Sequence, residues 1–213
     1  MATKKYISDG QTSKRVVVCG GGVTGVCTAY FLAKKGIAVT LVEKSAVACV
    51  ASGKAGAMEA QSLAEELNGV ESYGYRPVTT LSLTVKESSK PISGGSDLPA
   101  WIDGPVKSPS TIGTTETTAQ VHPQLFTRKL LSTATKKYGV EVVIGKLEEV
   151  RVELGRVDSV LLEGGRVIDT DAVVLAMGPW SVYLLIQIRY QAILNRLRFS
   201  RDEENARVKA EQA

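Results

Sequence analysis

The run Gly20-Gly21-Gly22-Val23-Thr24-Gly25 satisfies the spacing G-x-G-x-x-G at Gly20, Gly22 and Gly25, and Glu43 follows at about the 20-residue distance where an acidic partner belongs. Each position has a physical task. Gly20 permits a tight turn in a backbone conformation that a Cβ disfavours. Gly22 leaves space for a pyrophosphate to approach the backbone, and Gly25 lets a helix pack closely on a strand. Amides near Val23 and Thr24 would stand at a helix N-terminus, where unpaired N–H groups and the dipole attract phosphate. Glu43 would accept hydrogen bonds from a ribose diol and repel a 2′-phosphate, which argues against NADP.

That chemistry requires a strand before the glycines and a helix after them. Arg15 to Cys19 is a short β-branched run, as expected of a buried parallel strand. Val23 to Lys35 places Val26, Ala29, Tyr30 and Ala33 at helical spacing, with Gly36 as a C-terminal cap. Ile37 to Val42 is a second apolar strand ending on Glu43. Strand, turn, helix and strand in this order make a βαβ unit with a right-handed crossover.

Further along, 58–67 reads as a short helix, and Pro77 to Val85 alternates as a strand with one wet face. Residues 86–118, rich in Ser, Thr, Pro and Gly and containing Trp101, read as loop with little regular structure. His122 to Tyr138 is an amphipathic helix with Leu125, Leu130 and Leu131 on its apolar side, followed by a β-branched run from Val140 to Ile144. From Leu147 to Ile168, turns at Gly155 and Gly164-Gly165 predict a small antiparallel meander. Asp171 to Met177 reads as a fully buried strand stopped by Gly178-Pro179. After Ser181, residues 182–199 follow an apolar helical pattern and 200–213 are polar and charged, as in a disordered tail.

Composition narrows the partners. Apolar residues make up 44% and charged residues 23% of 213, with a formal charge of +4 and no basic stripe interleaved with aromatics, so nucleic acid is not favoured. No apolar run reaches the ~18 residues of a membrane span, and the first fifteen residues lack the apolar stretch of a secretory signal, which makes the cytoplasm the expected location. Cys19, Cys27 and Cys49 form no CxxC pair, and the single histidine, His122, completes no zinc set with them, so no metal is expected. The cysteines read as small buried hydrophobes, His122 as a capping or surface residue, and Trp101 and Trp180 as packing residues.

The chain resembles the D-amino-acid-oxidase-like family of FAD-dependent oxidoreductases, and within it a eukaryotic subgroup of undefined substrate. The likeness runs on V-V-V-C-G-G-G-V-T-G (Val16 to Gly25), V-T-L-V-E-K (Val39 to Lys44) and A-S-G-K-A-G (Ala51 to Gly56). It continues on V-H-P-Q-L-F (Val121 to Phe126) and V-V-L-A-M-G-P-W-S (Val173 to Ser181). The resemblance implies FAD as cofactor, with Glu43 on the adenosine ribose, Lys44 beside it, and Ser52-Gly53 along the pyrophosphate and ribityl chain. It further implies that a strand residue near Leu147 or Val150 lines the adenine through its backbone, and that Gly178 closes back over the dinucleotide. The chemistry so implied is hydride transfer to flavin from a C–H beside an amine, on an amine or amino-acid substrate.

Two departures accompany the resemblance. After Gly56 the apolar, glycine-containing segment that lies under the flavin ring in the family is shortened, and the likeness stops at Ser181, where the family continues to roughly twice this length. No catalytic residue is assigned. The expected architecture is α/β: a Rossmann-like FAD-binding domain over 15–56 and 119–181, with an incomplete strand-rich second domain and loop inserted at 57–118. Residues 1–14 are expected to be flexible, and 182–213 helical and then disordered, with the helix at 182–199 able to associate with other chains. Two alternatives stand beside the flavoenzyme: a truncated, inactive dinucleotide-binding fragment, and an NAD-binding dehydrogenase domain.

Overall fold

A computed structural model of the chain describes residues 14–53, 61–85, 106–153 and 155–186. In chain order these form β1 (Arg15–Cys19), α1 (Val23–Lys34), β2 (Ala38–Glu43), a 3-10 turn (Ala51–Gly53), α2 (Gln61–Leu67) and α3 (Gly69–Tyr73). Next come β3 (Arg76–Pro77), β4 (Thr80–Val85), β5 (Val106–Gly113), β6 (Ala119–Gln120) and α4 (Pro123–Tyr138). The series ends with β7 (Glu141–Ile144), β8 (Leu147–Glu153), β9 (Arg156–Leu162), β10 (Val167–Asp169) and β11 (Ala172–Leu175).

The centre is a four-stranded parallel sheet in the order β11-β1-β2-β7. Side chains alternate across a strand, so β1 feeds two cores at once. Val16 and Val18 join α1 and α4 through Ala29, Tyr30, Phe126 and Leu130. Val17 and Cys19 face the other way, onto Val150, Val160 and Leu162 of the meander. Coverage on both faces explains why β1 carries an unbroken apolar run instead of alternation. The meander is antiparallel in the order β10-β9-β8, and Gly155, Gly164 and Gly165 take positive φ at its turns as predicted.

The helix from Val23 stops where Gly36 adopts φ +84°, and α4 begins at a His122 cap. Three expectations need correction. The stretch read as loop contains β5, which pairs antiparallel with β4; its Thr and Val residues suit a strand that composition alone disguised among Ser and Pro. The strand β11 is only half-buried, because it lies at the edge of the sheet. Cys49 is exposed and Trp180 is 63% exposed, whereas Cys19 is buried as expected. Residues 180–186 are helical, with Leu184 buried against the meander side of the sheet. The expectations for 1–13, Lys54 to Gly56, the start of the helix at 58–60, Trp101 and 187–213 fall outside the described residues.

Candidate dinucleotide site

The glycine run crosses the carboxyl end of β1, where ligands of open parallel sheets bind. Gly20 has φ +117°, and a Cβ there would strike the carbonyl of Ala176 at the end of β11. A Cβ on Gly25 would strike the carbonyl of Gly20. These two glycines are therefore required by close packing of α1 and β11 on the turn, whatever binds there. Gly22 is different: its missing Cβ would stand 3.1 Å from Ser52 Oγ, so the space beside it is shared with the 3-10 turn.

Glu43 ends β2 and reaches back to the glycines. Its Oε2 accepts from the Gly21 amide at 2.6 Å and its Oε1 from the Ser45 amide at 3.0 Å. Ser52 Oγ accepts from the Val23 amide at 2.9 Å. Helix geometry leaves the first amides without internal partners, and those of Gly22 and Thr24 meet no acceptor among the described residues. Lys44 is exposed beside Glu43.

Gly20, Gly22, Val23, Glu43 and Ser52 are thus brought into direct contact or one bond apart, with Thr24, Gly25 and Gly53 adjacent in the chain. Leu147 and Gly178 are tied in less closely. Leu147 starts β8 two residues after Gly145, whose amide donates to the Glu43 carbonyl at 2.9 Å. Val150, the other adenine-side candidate, lies three residues further along β8 with its side chain in the core beneath the meander. Gly178, with φ +60°, follows Ala176, whose amide donates to the Cys19 carbonyl at 2.8 Å.

Contacts that the residue types did not announce complete the loop between β2 and the 3-10 turn. The Ala48 amide donates to the Gly21 carbonyl at 3.0 Å, and Gln124 Nε2 donates to the Ala48 carbonyl at 3.3 Å. The only advance signal for Gln124 was its place in V-H-P-Q-L-F at the start of α4. His122 caps that helix, its Nδ1 accepting from the Leu125 amide at a long 3.4 Å. Burial pushes the Cys19 thiol up to about 12, so it stays protonated and inert beside the site. Among the described residues no group of three His, Cys, Asp or Glu could hold a metal ion.

The arrangement fits the ADP half of a dinucleotide. Two unpaired amides and a helix dipole face the space beside Gly22, where no Cβ intrudes. Glu43 is fixed by two amides, and each of its oxygens keeps a lone pair for a ribose hydroxyl. The fold and the site define a dinucleotide-binding α/β protein.

Comparison with known proteins refines that class. The sequence profile described as "FAD dependent oxidoreductase" matches residues 15–89 and 104–200, and the chain belongs to this family, whose cofactor is FAD. A Schizosaccharomyces pombe protein named "Putative oxidoreductase C1F5.03c" is 25% identical over 219 residues, covering 83% of this chain and 57% of its own length. The chain thus spans little more than half of that relative. Among solved structures, glycine oxidase from Geobacillus kaustophilus aligns with TM-score 0.67 at 19% identity, covering 83% of this chain and 59% of its own. L-amino acid deaminase from Proteus vulgaris aligns with TM-score 0.61 at 20% identity, covering 86% and 51%. The shared fold is the Rossmann-like architecture expected from the glycine run, FAD is the cofactor that the resemblance implied, and the family match sets aside the NAD-dehydrogenase alternative.

Proposed function

We propose that this chain binds FAD through the glycine turn and serves in flavin-dependent oxidation of an amine or amino acid. The observation that carries the reading is the pinned Glu43 carboxylate next to unpaired amides at the start of α1. The pyrophosphate would lie against the Gly22–Thr24 amides, with Ser52 and Gly53 along it, and the adenosine ribose on Glu43 with Lys44 alongside. Leu147 would border the adenine, and Gly178 would close over the dinucleotide from the end of β11. When bound, FAD supplies the hydride acceptor, and this chain's residues bind it, orient it and shield its phosphates from water.

The proposed substrate class is supported by two proteins sharing the fold, a glycine oxidase and an L-amino acid deaminase. The described residues hold no helix long and apolar enough to cross a membrane, and we place the protein in the cytoplasm. The division into a cofactor-binding part (15–56 and 119–181) and an inserted part (57–118) belongs to the same proposal. It is supported by the pairing of β4 with β5, apart from the central sheet.

The test is a visible spectrum of the purified chain after incubation with FAD and desalting. Stoichiometric retained flavin supports the reading, and peroxide release on addition of amino acids then supports the substrate class. A folded protein that retains none overturns FAD binding by this chain and favours the inactive-fragment alternative.

A further inference from the structure

We infer that Gln124 is a positioning residue of the dinucleotide site, holding the loop between Glu43 and Ser52 in its binding shape from α4. The inference rests on the FAD-binding reading above. Its starting point is Ala48, a non-glycine residue at φ +56° that is almost completely buried. A left-handed conformation is disfavoured for an L-residue, and such residues persist only where the surroundings hold them.

Both backbone groups of Ala48 are held. Its amide donates to the Gly21 carbonyl, and its carbonyl accepts from Gln124 Nε2. Gly21 in turn donates its own amide to Glu43 Oε2. One residue of the glycine turn, Gly21, therefore grips the start of the loop through Glu43 and its middle through Ala48. The far end is gripped by the Val23 amide on Ser52 Oγ. Gln124 fastens this circuit to a rigid element. It lies in the first turn of α4, which is anchored by buried Phe126 and Leu130 and by the His122 amide on the Tyr73 carbonyl.

Release of Gln124 leaves Ala48 free to relax out of the left-handed region. The Gly21 carbonyl then loses its donor, and Glu43 and Ser52 lose a common frame. The side chain touches the loop and is not itself placed on the ligand, so its effect on binding is indirect. At 3.3 Å the bond is long, and a net hydrogen-bond contribution corresponds to about a two- to tenfold change in affinity.

Gln124→Met keeps the length of the side chain and removes the donor; Gln124→Glu presents a carboxylate to the Ala48 carbonyl. Two measurements on the full chain decide the matter: ADP and FAD affinity by calorimetry, and amide hydrogen exchange of residues 44–53 without ligand. The expected result is about two- to tenfold weaker binding of both ligands, with faster exchange in this loop and unchanged exchange in β8–β10. Unchanged loop exchange, or unchanged ADP affinity in both variants, overturns the inference. A wild-type chain that binds neither ligand overturns the functional reading and the positioning role with it. Faster exchange across the whole molecule, β8–β10 included, would mark Gln124 as merely structural and would also overturn it.

Discussion

Two neighbouring strands of the central sheet, β1 and β11, run parallel with Val18 opposite Val174, and both are short valine-rich runs. Yet Val18 is fully buried while β11 is half-exposed along Val173 to Leu175. The difference lies outside the strands. β1 has β2 on one side, β11 on the other, helices on one face and the meander on the other. Among the described residues β11 has a sheet neighbour on one side only, and the helical residues after it expose Trp180, Val182, Tyr183, Leu185 and Ile186. The glycine turn belongs to the enclosed side and is complete within this chain. An apolar run in a sequence reports that a strand has the capacity to be buried; the neighbours decide whether it is.

The sharpest way to break the comparison is at the glycines. Gly25→Ala drives a methyl into the Gly20 carbonyl, in a turn where Gly20 itself has no room for a Cβ beside Ala176, so denaturant unfolding should show a loss of about 3 kcal/mol. Gly178→Ala, at positive φ with nothing within 4 Å, should cost only about 1 kcal/mol. Equal losses would mean that the turn is as yielding as the open edge. The register pair gives the next contrast. Val18→Ala should cost about 2.5 kcal/mol through lost burial and an unfilled cavity, and Val174→Ala about 1 kcal/mol, in the same unfolding experiment.

A smaller effect is expected at Glu66, which ties the enclosed side together. Its carboxylate accepts from Lys34 Nζ on α1 at 2.6 Å and from Tyr138 Oη on α4 at 3.3 Å. The Lys34 hydrogen bond holds its carboxyl below the ordinary 4.5. A lowered folded-state value means the stabilisation is complete above 4.5 and is lost as pH falls through the folded value. Glu66→Gln should therefore be slightly less stable than wild type at pH 7, with the gap narrowing as the pH of thermal melts is taken below 4.5. The exchange is mild because these side chains are partly solvated.

The smallest effect on stability belongs to the exposed helical turn. Ile186→Lys should change unfolding by no more than about 0.5 kcal/mol, while lowering self-association in sedimentation velocity, since a contiguous apolar surface favours sticking. A large loss of stability would show that Ile186 is covered in the folded protein.

Much of the enclosed side was legible in advance. The glycine spacing, the acidic end of β2 and the two helices with their caps follow from local rules of backbone freedom and helical periodicity, so Gly20, Gly25 and Glu43 fell where those rules put them. The meander was legible because Gly155 and Gly164-Gly165 mark its turns. What escaped was set by contacts distant in sequence. The strand β5 is stabilised by β4 across more than twenty residues, and nothing local distinguishes it from a Ser-rich loop. The exposure of Trp180 and Cys49 depends on which elements fail to cover them. Ala48 in a left-handed conformation and Gln124 bonding it are consequences of tertiary assembly, with no local pattern to give them away.

The pairing of β1 with β11 joins residues 16 and 172, and this has a consequence for how the molecule comes into being. A ribosome adds about 5–20 residues per second, so on the order of ten seconds separates the emergence of β2 from that of β11. Throughout that interval one hydrogen-bonding edge of β1, the most buried strand of the central sheet, has no partner from its own chain. Non-local pairing of this kind slows folding, and the nascent chain must either tolerate the open edge or have it shielded until residue 175 arrives.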